Sequence, residues 1–266
     1  MKISITGMSV TIQQIDHIDI KQLCQKYLLL DGYEAEESSE DNRLTLKYCV
    51  PGRTKTCVII ETEKNILHKE SNVTLLLSKR FFQTAPFHFN LYKLLRFFAR
   101  YTHTINQIDI TYLDEGKHLS ATELVHLCKF SVDYCTGSLV THRTPRFVLK
   151  NGEVRRILLE SKESKTNYGV IHMSPGGGIK LVLSIKKKEK IQYVLGNKAV
   201  NVRYPYLFEA RSKELLRSCI DFNTARTKKN RVKAKYQQQP FWAKFMGGEV
   251  DLINWSKICS EQKGKL

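Results

Sequence analysis

Short alternating runs of strand length, each ended by a cluster of turn-forming residues, recur along this chain and restrict it to folds built on antiparallel sheet. The clearest case is Arg43 to Val50 and Lys55 to Glu63, which alternate on either side of Pro51-Gly52-Arg53-Thr54 and read as a hairpin. Lys2 to Ile15 forms a loosely alternating first strand, Asn72 to Leu77 another, and Ile105 to Leu113 a third. From Ser138 to Ala210 successive strands are expected, with turns at Asn151-Gly152, Ser174 to Gly178, Lys187 to Lys190 and Gly196-Asn197.

Helical spacing interrupts these runs. Ile20, Leu23, Tyr27 and Leu30 line one face of an expected helix over Ile18 to Leu30, which Asp31-Gly32 and an acidic loop end. Asn90 to Tyr101 is amphipathic, and Ser120 with Glu123 stands in capping-box register before Leu124, Leu127, Cys128 and Val132. From Ser212 onward the tail reads as helical and basic, passing through the glutamines 237 to 239 and Pro240-Phe241-Trp242 to an amphipathic segment containing Trp255. The fold class is therefore α+β, mainly antiparallel sheet with packed helices and a basic helical C-terminal tail. Lys21-Gln-Leu-Cys24 echoes Val125-His-Leu-Cys128, and each follows an Ile- and Asp-rich segment, which duplication or chance can produce. A duplicated chain would divide into an N-terminal lobe (1–104), a second α+β lobe (105–211) and the tail (212–266).

Charge is distributed unevenly over the 266 residues. Residues 1 to 140 hold 16 Lys and Arg against 16 Asp and Glu, whereas residues 141 to 266 hold 27 against 10, so the whole net charge of +17 arises in the second stretch. Such localisation suits phosphate neutralisation with counterion release and makes nucleic acid the expected partner. Positive charge does not separate DNA from RNA, so an RNA-binding module stays open beside DNA. Seven cysteines form no Cys-x-x-Cys pair and leave an odd thiol, as in a reducing, cytoplasmic setting. No apolar stretch is long enough to cross a bilayer, and no membrane partner is expected.

Two basic segments are the candidate phosphate contacts. Lys186, Lys187, Lys188 and Lys190 crowd one strand end, and Arg226, Lys228, Lys229, Arg231, Lys233 and Lys235 place six cations in ten residues without an acid. Among the aromatic residues that follow, Trp242 is expected to dock the tail on the core. Asp109 sits inside a strand, where Asp is disfavoured, with Asp114 and Glu115 at the strand end. An interior carboxylate can hold a divalent cation such as Mg²⁺ or Mn²⁺, or it can simply face solvent. Glu209, read as part of another strand, either joins Asp109 at one site or pairs with Arg211. Ser174 to Gly178 suits a hairpin loop better than a phosphate cradle, since no Gly-Lys-Ser/Thr helix follows.

In order and spacing, Gln107-Ile-Asp-Ile110, Asp114-Glu115, the strand, turn and strand of Ile171 to Lys188, and Leu207-Phe208-Glu209 together resemble the replication initiation factor family. These are tyrosine-dependent initiators and related relaxases of rolling-circle plasmids, phages and mobile elements. The resemblance spans roughly residues 105 to 211 and implies a DNA-binding replication protein that recognises origin DNA. It also implies a metal-dependent nicking and closing reaction through a tyrosine nucleophile, with Asp109, Asp114 and Glu209 at the metal. The sequence departs from the family at telling places. Ser184 stands where the nucleophilic tyrosine belongs, Gln107 replaces the arginine before the aspartate, and Leu207 replaces the one before the glutamate. A nicking activity then needs Tyr193 or Tyr168 instead, and without one the chain is a non-catalytic DNA-binding or assembly protein on the same fold. The sequence has no His-x-His pair on which to draw the metal site of His-hydrophobe-His nucleases.

Overall fold

A computed structural model describes residues 1–40, 43–63, 70–140, 144–159, 167–174, 177–223 and 238–247. The first half runs β1 (Lys2–Asp16), α1 (His17–Gln22), β2 (Glu34–Glu40), β3 (Arg43–Cys49), β4 (Thr56–Glu63), β5 (Glu70–Leu77), α2 (Lys79–Thr84) and α3 (Leu91–Phe98). The second runs β6 (His103–Leu113), α4 (Ala121–Lys129), α5 (Ser131–Tyr134), β7 (Cys135–Thr136), β8 (Arg146–Lys150), β9 (Glu153–Leu159), β10 (Asn167–Met173) and β11 (Ile179–Ile185). It continues with α6 (Lys188–Leu195), α7 (Val200–Arg203), α8 (Pro205–Cys219), β12 (Asp221–Phe222) and α9 (Pro240–Met246).

Ten strands form one sheet in the order β2-β3-β4-β5-β1-β6-β11-β10-β9-β8, and every pairing is antiparallel. Each half contributes a long strand, a helical connection and a four-stranded meander that returns beside its own long strand. The two long strands, β1 and β6, meet at the centre. The echoing tetrapeptides occupy equivalent places: Leu23 and Leu127 are both buried in the helical connection after a long strand. A protein of mixed helix and strand with a large antiparallel sheet is the α+β class that the alternating runs require.

Strand alternation gives the sheet two unlike faces. On β6 and β11 the side chains of Ile108, Ile110, Tyr112, Leu181, Leu183 and Ile185 are almost fully buried beneath the helices. Tyr112 crosses that layer and donates its phenol hydrogen to the Ser212 carbonyl of α8 at 2.8 Å. The opposite face carries Ser4, Thr6, Ser9 and Thr11 from β1 and Gln107, Asp109 and Thr111 from β6. Cross-strand hydroxyl pairs tie it together, Thr6 with Thr111 at 2.8 Å and Thr11 with Thr74 at 3.4 Å.

The hairpin around Pro51-Gly52, the helix over 91–98 and the Ser120 cap appear as expected; Ser120 Oγ accepts from the Glu123 amide at 3.3 Å. Three readings are corrected. The acidic segment after Gly32 is not a loop but the exposed edge strand β2, whose carboxylates discourage pairing with another chain. The run of strands ends at Ile185: Lys187 to Lys190 leads into a helix, and Gly196 is the C-cap of α6. Pro205 to Arg211 is likewise helical. Ile191, Val194 and Leu195 are buried at helical spacing, as are Ser212, Leu215, Leu216 and Cys219, so packing of one stripe overrides the β-rich composition around Val200 to Phe208. The basic run from Arg226 to Lys235 and the Trp255 segment lie outside the described residues. Among the described residues no helix is long and apolar enough to cross a membrane.

Candidate nucleic-acid interface

At the centre of the polar face, four neighbouring strands bring Gly7 (β1), Asp109 (β6), Ser184 (β11) and Tyr168 (β10) into one row across the sheet. Ser184 Oγ donates to Asp109 Oδ1 at 2.6 Å, and Gln107 Nε2 donates to the same oxygen at 2.9 Å. Asp109 Oδ2 leans over Gly7, where a Cβ would lie only 2.4 Å away. Gly7 thus makes room for the carboxylate, a role the sequence signalled only by a glycine within an alternating strand. Ser184 is 1% exposed, so its hydroxyl is oriented along the sheet toward Asp109. Tyr168 is half-buried beside it, with the Lys186 ammonium 5.6 Å from the ring centroid.

Farther along β11 on the same face, Lys180 is partly buried, and burial together with the nearby Lys79 ammonium pushes it down to about 8. Two cations placed against each other make a ready contact for a phosphate. His172, opposite Lys180, and Arg156, opposite His172, extend this basic half of the face. On the other half, β2 presents carboxylates.

The remaining expected site residues lie elsewhere. Asp114 follows β6 on the opposite side of the alternation, is buried, and accepts the Leu119 amide at 2.7 Å, closing the turn into α4. Glu209 is on α8 and pairs with Lys213 at 2.6 Å, one helical turn away, not with Arg211. Tyr193 is on α6, where its phenol donates to Glu214 and accepts from Arg211 at 2.8 Å; burial first, then the bond to Glu214, pushes it up to about 12. That cluster joins α6 to α8 on the helical side of the sheet, and the strand expected to carry Glu209 beside Asp109 does not exist. Lys186 reaches the polar face, whereas Lys188 starts α6 and Lys190 Nζ approaches Ser138 Oγ at 3.4 Å; Lys187 is exposed between them. Arg226, Lys228, Lys229, Arg231, Lys233 and Lys235 lie outside the described residues. Trp242 is fully buried against Phe222 and Phe245, and its indole donates to Asp221 Oδ1 at 2.6 Å.

A Mg²⁺ or Mn²⁺ ion needs several hard oxygen ligands converging on one point. Asp109 brings a single carboxylate whose Oδ1 already accepts two hydrogen bonds, and Asp114 and Glu209 are turned away from it. Among the described residues no group of three or more His, Cys, Asp or Glu side chains is placed to hold a metal. The expected ligand set does not fit such an ion, and no chemical step is derived through one.

The fold is that of a protein with a ten-stranded antiparallel sheet beside the small β7–β12 pair, a helical layer on one side of the large sheet and a polar, partly basic face on the other. A solved structure of the rolling circle replication initiator protein from Geobacillus stearothermophilus has this fold, with a TM-score of 0.66 at 13% sequence identity over 92% of this chain and 95% of that one. No protein-family model matches the sequence, and a search of curated proteins gave no match.

Proposed function

We propose that this chain is a DNA-binding, replication-initiator-like protein of a plasmid, phage or other mobile element, and that it holds origin DNA on the polar sheet face without efficient nicking. The observation that carries this reading is the Ser184–Asp109 pair. The fold is shared with a rolling circle initiator, and at the centre of the sheet Ser184, which the sequence resemblance sets at the position of the family's nucleophile, is bonded to the aspartate of the Gln-Ile-Asp-Ile strand. A nicking enzyme of this kind forms a phosphotyrosine ester and later expels the phenolate when the strand is rejoined. An alkoxide is a much poorer leaving group than a phenolate, so a serine in that position disfavours the closing step. The basic half of the face and the basic tail then serve binding, through phosphate contacts that carry no sequence information by themselves.

One observation favours a second reading. Tyr168 is the direct cross-strand neighbour of Ser184 and lies on the same face, with a cation over its ring. A phenol here can take the place of the missing one.

The test is incubation of the purified chain with a supercoiled plasmid carrying its own element's origin and Mg²⁺ or Mn²⁺, scored for nicks and covalent adducts. Binding to duplex DNA, single-stranded DNA and RNA is titrated in parallel against salt. Steeply salt-dependent DNA binding with no adduct is expected. An adduct abolished by Tyr168→Phe replaces the first reading with the second, and a preference for RNA or a flat salt dependence removes both.

A further inference from the structure

On the helical side, a cleft of about 610 Å³ lies between α3, the first residues of β6 and α6. Arg96, Arg100, Lys188 and Lys198 are among its lining residues, and no carboxylate is. No acidic partner is found for Arg96, Arg100, Lys188 or Lys198 among the described residues. Four exposed cations thus line one concavity with no carboxylate among them, which raises the local positive potential and attracts anions.

The rim of this cleft is a constructed feature. Gly196, Lys198 and Ala199 all adopt positive φ (78°, 51° and 60°), conformations that lysine and alanine rarely accept. Asn201 holds the turn in place by donating to the Tyr193 and Val194 carbonyls at 3.1 and 3.0 Å. A Cβ on Gly196 would lie 2.8 Å from the Asn201 side chain. Backbone strain is therefore maintained at the segment that brings Lys198 to the cleft.

The chain leads from the polar face directly into the wall of this cleft. β11 ends at Ile185, and the chain passes through Lys186, above Tyr168, and Lys187 into Lys188 on the cleft wall. Along β6, Thr104 in the cleft is five residues from Asp109, about 17 Å at the usual strand rise, or roughly half a turn of B-form duplex.

We propose that this cleft holds backbone phosphates of the same DNA that occupies the sheet face, forming a second, sequence-independent segment of the binding track beyond the Ser184 site. The inference rests on the DNA-binding reading above. It makes Arg96, Arg100 and Lys198 the residues that set how long a duplex the protein grips.

The test compares the full chain with Arg96→Ala/Arg100→Ala/Lys198→Ala on duplexes of about 10 and about 25 base pairs, across a salt series. All three side chains are exposed, so the fold is retained, and circular dichroism verifies this. The triple variant is expected to bind the longer duplex about tenfold or more weakly, with a log–log salt slope shallower by about 2–3, while the short duplex is bound as before. Lys198→Gly gives an independent arm, because it relieves the positive φ while removing the charge: the protein should be at least as stable, yet weaker on the longer duplex. If the wild-type chain binds no duplex, the parent reading fails. If it binds and neither variant changes the slope or the length dependence, the cleft proposal alone fails. Saturation of the cleft by inorganic pyrophosphate that leaves long-duplex binding unaltered also overturns it.

Discussion

Replacing Gly7 by alanine tests the construction of the polar row most directly. Gly7 is not in the positive-φ region, so its backbone accepts alanine, and in an ordinary strand the change should stabilise by about 0.5–1 kcal/mol. Here the new Cβ would lie 2.4 Å from Asp109 Oδ2 and 3.1 Å from Asp109 Cβ, so the carboxylate must swing away. That movement breaks the 2.6 Å bond from Ser184 and the 2.9 Å bond from Gln107. A hydrogen bond to a charged group contributes about 1.5–3 kcal/mol, but the half-exposed Asp109 recovers part of this from water. Gly7→Ala should therefore destabilise by about 1–2 kcal/mol net. In an Asp109→Gly background the obstruction is gone and the same substitution should become stabilising by about 0.5–1 kcal/mol. Urea denaturation of the four proteins of this double-mutant cycle measures the difference. If Gly7→Ala costs the same with and without the Asp109 side chain, the glycine serves the backbone of β1 and the argument is refuted.

Other outcomes follow from the same geometry. Lys180 has a folded-state value of about 8, below its unfolded value, so the unfolded chain binds the extra proton between them, and stability should rise as pH increases from about 8 to about 10.5. A bound phosphate favours the charged ammonium, so DNA affinity should fall as pH rises through 8; Lys79→Ala should shift that midpoint upward, and affinity that is level between about pH 7 and about pH 9 contradicts it. Trp242→Ala should cost about 3–5 kcal/mol in thermal or urea unfolding, since it empties a fully buried ring and removes a donor from Asp221, whose carboxyl is already raised by burial. Tyr193→Phe should change stability by no more than about 1 kcal/mol and leave DNA binding and any adduct formation untouched, because its partners are Arg211 and Glu214 on the helical side. Alanine at Lys228, Lys229, Arg231, Lys233 and Lys235 should weaken DNA binding for all sequences alike in a filter or anisotropy assay; unchanged affinity would make the basic run a solvated surface.

Much of this architecture is written locally. Alternation in Arg43 to Val50 and Lys55 to Glu63, the turn residues between them and the Ser120 cap each involve neighbours in sequence, and each takes the form those residues dictate. Asp109 in a strand marked the centre of the polar row, because an acid there conflicts with strand preference and needs a specific surrounding. The segment from Lys188 to Ala210 departs from the strands expected of it because its β-branched and aromatic residues favour strands, whereas the buried stripe that makes it helical is defined only by what packs against it. Glu209 fell with that strand.

The sequence by itself determined the α+β class, the localisation of charge and the place of Asp109 inside a strand. Only the tertiary structure decided that Ser184 bonds to Asp109 across 75 positions, that Gly7 admits the carboxylate, that Tyr168 shares their face while Tyr193 does not, and that Arg96 and Arg100 meet Lys188 and Lys198 in one cleft. The physical reason is that period and propensity set which face a side chain takes on its own element, whereas strand order and helix packing set which distant faces meet.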